Sequence, residues 1–384
     1  MAPPIPVLRV AGSHREVGRA VGAATTRVVR DAAAFDAALP PGRSRDDQLA
    51  LATRYRDATR AATPWLVEEI DGAAEGAGVD PLALFAASIE EIWTVRPSQV
   101  GTTEPVPGRC SDLVIGPPFT ADGHLWVAHT NDLGEDSEAR LVAVEWRVSG
   151  EPVVFSIGIG PWISVGWNDA GLSLTGNELT PNDERVGVPR LLMVREQLTA
   201  RTLDEAVAAA LRPDRASSYN TVFAHRDGRV ANVEGSGGDA VVRMIGPGET
   251  LAHTNHYVEP AMLRYEGDAA YARRSATRYG RACALLAGAA AAGSGTVTPA
   301  LLRAWLADHD GAPDSICRHP ATAAGTQPPA AASAAPADGP VKTVFWTIAD
   351  VTAGEIRYGR GNPCTRTEPD VFTFTRDRQG VLVR

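Results

Sequence analysis

The stretch Gly108-Arg109-Cys110-Ser111-Asp112-Leu113-Val114-Ile115 divides the chain into two textures. Upstream of it, residues 13–38, 46–62, 64–77 and 80–95 carry apolar side chains at helical spacing, with Asp80 and Pro81 placed as N-cap and first helical residue. Downstream the period drops to two, and short runs of Val, Ile, Trp and Thr alternate with turn pairs such as Asp122-Gly123 and Asp227-Gly228. The spacing predicts strands over 112–115, 124–129, 140–148, 152–157, 163–167 and 171–175. Further strands are expected over 221–225, 229–234, 240–245, 343–350, 355–358, 371–375 and 381–383. Helices are expected over 189–199, 202–211, 270–287 and 298–307, the second headed by Thr202 with Glu205 three residues on. Strands joined by short turns favour antiparallel sheets, so the chain reads as α+β, two sheets between helical layers.

Two stretches stand apart. Residues 97–109 are rich in Pro, Thr and Gly and read as an exposed loop, and residues 321–340 are an Ala/Pro/Gly-rich insertion low in bulky side chains. The segment before Cys110 is thus expected to form a helical unit (1–109) and the rest (110–384) a catalytic unit.

Composition narrows the function. At 384 residues and 44% hydrophobic content the chain can bury a full core, and a net charge of −9 argues against a nucleic-acid groove or an anionic membrane surface. No apolar run approaches the ~18 residues of a membrane span, and the N-terminus lacks the basic start and apolar core of a signal peptide. The cysteines, at 110, 283, 317 and 364, show no paired or metal-type spacing, which makes a reducing cytoplasm the default setting. High Ala, Arg, Gly and Pro with a single Lys, Lys342, suggests a GC-rich bacterial genome.

Cys110 heads the first strand after a Gly-Arg lead-in. A thiol there is placed to attack the Arg109 carbonyl, cut the chain and become a new N-terminus. One residue would then carry both a sulfur nucleophile and an α-amine, titrating near ~8, to act as its base. Other polar clusters fall at strand ends: His129-Thr130-Asn131-Asp132, Gly176-Asn177-Glu178, Glu234-Gly235-Ser236, His253-Thr254-Asn255-His256 and Cys317-Arg318-His319. Taken singly, such residues are more often turn formers or members of structural hydrogen-bond networks. A metal site built from His253, His256, His129 and His124 with Asp132 is a rival reading, but His253-x-x-His256 lies in a strand-to-loop segment and lacks helix-borne spacing.

Taken together and in order, these motifs resemble the acyl-coenzyme A:isopenicillin N acyltransferase (6-aminopenicillanic acid acyltransferase) family of N-terminal nucleophile hydrolases. The carriers are Cys110, Asn131-Asp132, Gly171-Leu172-Ser173-Leu174-Thr175-Gly176-Asn177, Glu234-Gly235-Ser236, Thr254-Asn255-His256, Ser315-Ile316-Cys317-Arg318-His319 and Gly361-Asn362-Pro363-Cys364. The resemblance implies a four-layer αββα sandwich made as a proenzyme, cut between Arg109 and Cys110 into two subunits that stay together. It implies Cys110 as nucleophile, Asp132 as the carboxylate orienting amine and thiol, and Asn255 as oxyanion donor. It also implies Ser236 as a processing residue near the scissile bond and Arg318 as a site-lining cation. Asn177 and Arg278 match positions of the related bile-salt hydrolase and penicillin V acylase branch. The family usually has Gly before the nucleophile, where this chain has Arg109.

The expectation is therefore a self-activated Cys hydrolase or acyltransferase acting on an amide or acyl thioester, with no metal or organic cofactor and its own cleaved fragment as partner. Alternatives are a linear N-acyl amidase without acyl transfer, and an uncut binding protein on the same fold.

Overall fold

The computed structural model describes residues 3–93, 109–320, 341–365 and 368–374. The chain opens with a strand, β1 (Val7–Gly12), followed by α1 (His14–Ala24), α2 (Thr26–Ala33), α3 (Arg45–Ala62), α4 (Pro64–Ala77) and α5 (Pro81–Ala87). Six strands follow, β2 (Arg109–Ile115), β3 (Trp126–Gly134), β4 (Leu141–Val148), β5 (Val154–Ile159), β6 (Trp162–Asn168) and β7 (Leu172–Asn177), and then α6 (Arg190–Gln197) and α7 (Leu203–Ala210). The remainder is β8 (Asn220–His225), β9 (Val230–Gly235), β10 (Ala240–Ile245), β11 (Leu251–His253), α8 (Ala269–Ala292), α9 (Pro299–Leu306), β12 (Val341–Asp350), β13 (Glu355–Arg360) and β14 (Asp370–Thr373).

The strands form an eight-stranded sheet, β1-β4-β5-β6-β7-β8-β9-β10, and a six-stranded sheet, β11-β2-β3-β12-β13-β14. All pairings are antiparallel except β1 with β4. Alternation on each strand explains the layers. Phe155, Val165 and Trp167 of the first sheet meet Val344, Phe345 and Tyr358 of the second. On the outer face of the first sheet, Val144, Trp146 and Phe223 pack on Val17, Val21, Val194 and Leu203 of α1, α6 and α7. Leu113, Trp126 and Ile348 cover the other outer face against Leu286, Leu302 and Trp305 of α8 and α9. This is the αββα sandwich expected from the sequence.

The differences are local. Residues 13–38 form two helices and a 3-10 turn rather than one helix, because Thr25 turns its hydroxyl back onto the Val21 carbonyl. The segment before Cys110 is not wholly helical, since β1 joins the first sheet at its edge. The short strand β11 was also not anticipated, while the strand expected over 381–383 lies outside the described residues. The Thr202–Glu205 capping box is present at α7. No helix among the described residues is long and apolar enough to cross a membrane.

Candidate active site

Strand alternation sorts the residues around Cys110. On β2, Leu113 and Ile115 face the α8–α9 layer, as do Arg109 and Ser111, while Val114 packs between the sheets. Cys110 and Asp112 share that inter-sheet face with Asn131 and His129 of β3, whose register sets Cys110 opposite Asn131 and Asp112 opposite His129. Asp132 pairs with Arg109 and lies on the helix face.

Two side chains grip the Cys110 backbone. Its N–H donates to Asn255 Oδ1 at 2.8 Å, and Arg278 Nη1 donates to its carbonyl oxygen at 2.5 Å. Arg278 also donates to Ser111 Oγ at 3.0 Å and, through Nη2, to Asn255 Oδ1 at 2.8 Å. With two donors on Oδ1, the Asn255 amide is fixed in orientation, and its Nδ2 donates to the Glu178 carbonyl at 3.0 Å. One face of α8 organises this grip, because Arg278 lies one turn beyond Ser275, whose hydroxyl accepts the Asn255 N–H at 2.6 Å.

Behind β2 lies a buried cationic cluster. Asp314 accepts from Arg109 (2.8 Å), Arg318 (3.0 Å) and Arg274 (3.3 Å). Burial works against the Asp314 charge, but the three guanidiniums overcome it and hold its carboxyl below the usual range. Burial, with Arg318 and Arg274 close by, brings Arg109 down to about 10. Asp132 accepts from Thr343 Oγ1 at 2.7 Å, and burial raises its pKa despite the pull of Arg278 and Arg318. Arg109 thus has a made seat, with its guanidinium also 5.7 Å from the Tyr271 ring centre. The Arg109 side chain is accommodated on the helix face.

On the inter-sheet face, Asn131 Nδ2 donates to Cys110 Sγ at 3.6 Å. His129 Nδ1 bonds Asp112 Oδ1 at 2.8 Å, both side chains fully buried. Its Nε2 completes no hydrogen bond among the described residues, although Cys110 contributes to its electrostatics. Burial alone would lower the His129 pKa, but the Asp112 charge and hydrogen bond, with a smaller push from Cys110, raise it to about 10.

The Cys110 thiol opens on a cavity of about 130 Å³ between the sheets and α5 and α6. Leu133, Ile159, Trp162, Leu174 and Val194 make most of its wall apolar. At one side Arg190 holds Glu90 at 2.8 Å and Glu178 at 3.1 Å, and Tyr219 donates to Glu90 at 2.5 Å.

The sequence pattern of the acyl-coenzyme A:6-aminopenicillanic acid acyl-transferase family matches residues 120–326. The chain belongs to this family. Membership makes it an enzyme of the acyltransferase kind. The matched span takes in Asp132, Ser236, Asn255, Arg278 and Arg318 and begins after Cys110. Among solved structures, a mutant conjugated bile acid hydrolase from Clostridium perfringens is 10% identical with a TM-score of 0.46, over 69% of this chain and 92% of that one. Penicillin V acylase from Agrobacterium tumefaciens is 12% identical with a TM-score of 0.37, over 68% of this chain and 84% of that one. No curated protein matches the chain.

The structure brings Cys110, Asn255 and Arg278 into direct contact and sets Asp132 and Arg318 behind them. Asn177 is one step removed, its Oδ1 accepting from Asn220 Nδ2 at 3.0 Å and lying 2.9 Å from His253 Nδ1. Ser236 is placed elsewhere. Its hydroxyl donates to Asp183 at 2.8 Å in a turn after β9, and no hydrogen bond links it to Cys110, Asn255 or Arg278 among the described residues. The four histidines of the rival metal reading go to separate partners: His124 to Asp350, His129 to Asp112, His253 to Glu234 and His256 to Ser275. Sequence reading passed over the Asp112–His129 pair and Asn131 as contacts of the thiol, because only strand register brings them beside Cys110.

Proposed function

We propose that the chain is a self-cleaving Cys amidohydrolase or acyltransferase with Cys110 as its nucleophile. The observation that carries this reading is the Cys110 N–H held on Asn255 at 2.8 Å, at a residue whose own thiol lines the apolar cavity. In the uncut chain that nitrogen is an amide and has no basicity to offer, so the thiol proton leaves to water. His129, held by Asp112 and kept as the imidazolium at neutral pH, stabilises the thiolate that forms beside it. The sulfur attacks the Arg109 carbonyl carbon, the C–N bond breaks, and the nitrogen takes a proton to become the α-amine. Water then hydrolyses the Arg109 thioester, releasing a carboxylate on Arg109 and regenerating the thiol.

In the cut enzyme the amine, still donating to Asn255 Oδ1, serves as base. The thiolate attacks a substrate acyl carbon, and the oxyanion forms beside Asn131 Nδ2 rather than at Asn255, the donor expected from the sequence, whose Nδ2 is engaged on the Glu178 carbonyl. One such donor contributes on the order of 3 kcal/mol. Arg278 keeps the Cys110 carbonyl fixed, and Asp132 with Arg318 sets the field behind the amine. An apolar acyl group fits the Leu133, Trp162 and Leu174 walls. The leaving amine departs, and the S-acyl enzyme passes its acyl group to water or to an incoming amine.

Intact mass spectrometry of the purified protein tests the reading. Two chains, residues 1–109 and 110–384, are expected, and a single full-length chain for Cys110→Ala. Cleavage that persists in Cys110→Ala overturns the nucleophile, and an uncut wild-type chain supports the binding-protein alternative. Turnover of an N-acyl amide panel with and without added amine then separates transfer from hydrolysis.

A further inference from the structure

Outside this site, four soft donors meet at the surface beside α9. His309 lies in the loop after α9, Cys317 and His319 flank Arg318, and Cys364 sits in the turn after β13. His319 Nε2 is 3.1 Å from His309 Nε2, 3.4 Å from Cys364 Sγ and 3.7 Å from Cys317 Sγ. All four donor atoms lie within 4.8 Å of one another. We propose that His309, Cys317, His319 and Cys364 bind one zinc ion as a structural Cys2His2 site.

The spacing fits the metal. Tetrahedral zinc with bonds of about 2.3 Å to sulfur and about 2.0–2.1 Å to nitrogen sets its ligand atoms roughly 3.3–3.8 Å apart. A hydrogen bond between the two imidazoles accounts for one of the observed distances, but not for two sulfurs converging on the same nitrogen from separate segments. The donor set excludes hard cations such as calcium and magnesium, which take oxygen ligands. Four protein ligands fill a tetrahedron, so the ion has no open position and does no chemistry on substrate.

The surroundings are those of a metal thiolate. Asn362 Nδ2 donates to Cys317 Sγ at 3.4 Å and to the Arg318 carbonyl at 2.6 Å, orienting a sulfur that must bear charge. Zinc binding displaces one proton from each thiol and uses both imidazoles neutral, so two protons leave for each ion bound. The ion would fasten three segments that the chain brings together only on folding. Arg318 sits between two of the ligands, and its N–H donates to Thr343 Oγ1 at 3.0 Å, the hydroxyl that donates to Asp132. The clasp therefore fixes the backbone on which the cationic cluster is mounted, yet its existence does not depend on any catalytic role for that cluster.

The test uses the full chain, expressed with added zinc, kept reduced and dialysed before elemental analysis. One zinc per chain is expected, with occupancy falling about tenfold or more in Cys364→Ser and in His319→Gln, both changes at exposed positions. Circular dichroism checks that each variant is folded. Cobalt(II) loaded in place of zinc should give a thiolate charge-transfer band in the near ultraviolet and the visible bands of a tetrahedral ion. A reduced, zinc-supplied chain that holds no metal overturns the proposal. So does zinc content unchanged in the Cys364→Ser/His319→Gln double variant, or a Cys317–Cys364 disulfide that re-forms in the presence of zinc.

Discussion

His129 Nδ1 and Asp112 Oδ1 stand 2.8 Å apart, sealed from solvent, on paired positions of β2 and β3 one step along from Cys110. A buried imidazole so fixed presents one ring nitrogen to its neighbours and commits the other. Kept as the imidazolium, it suits a counter-ion for the thiolate of a residue whose backbone nitrogen is still an amide. His129→Gln is expected to slow self-cleavage about 10²–10⁴-fold while leaving the fold intact. The rate is read as loss of the full-length mass with time across a pH series. Gln carries no charge, so the thiolate forms only at higher pH and the rate profile should move to the alkaline side as well as fall. An unchanged rate and profile would remove His129 from the reaction.

Arg278 spans the Cys110 carbonyl and Asn255 Oδ1 with two different nitrogens. A lysine ammonium is a point donor and cannot reproduce that fork. Arg278→Lys should therefore slow processing on the order of 10²-fold, much as loss of one preorganised donor does elsewhere. Wild-type processing in this variant would show that charge alone suffices.

The stability of the protein should fall in mild alkali. His14 lies 3.0 Å from Glu69 and 3.2 Å from Glu151, and although burial opposes its charge, these two partners raise its pKa to about 9. His129 is raised to about 10 from the same ordinary value of 6.5. Groups raised on folding contribute stability that is complete below the unfolded value and lost as pH climbs through the folded one. Melting temperature should decline between about pH 6.5 and 10, and His14→Gln should flatten part of that slope. A melting temperature that rises over this window contradicts both assignments.

Helices α1 and α4 touch backbone to backbone through reciprocal glycines. A Cβ on Gly22 would lie 2.0 Å from the Ala73 carbonyl oxygen, and one on Gly72 would lie 2.2 Å from that of Arg15. Neither carbonyl can swing away without breaking its helix. Gly22→Val should cost about 1–3 kcal/mol or more through overpacking, measured by denaturant unfolding. An exposed glycine such as Gly42, with nothing within 4 Å, is the control and should change little on substitution by Asn.

Local signals in the sequence were strong enough to place most elements, and the reasons are visible at particular residues. Thr202 and Glu205 cap α7 as their spacing implied, and Asp80 with Pro81 starts α5. Cys110 was legible because it stands where one periodicity gives way to another. β1 escaped notice because its partner, β4, lies far along the chain and runs parallel, so no turn announces the pairing. The Asp112–His129 pair and the Asn131 contact needed the β2–β3 register, which no single strand encodes. Ser236 fitted a motif by position, but the Asp183 carboxylate claims its hydroxyl. His309, Cys317, His319 and Cys364 have no mutual spacing that a linear scan could weigh, since three loops bring them together.

The N-terminal edge strand pairs with β4 along its whole length, from Val7 opposite Ala143 to Gly12 opposite Val148. In a chain severed at Arg109–Cys110, that strand and the helices behind it belong to a different polypeptide from the sheet they complete. The first folding is unimolecular, but every later one is an encounter between two molecules. Recovery from denaturant would then depend on protein concentration, and a dilute sample would fail to regain its fold although each half is chemically intact.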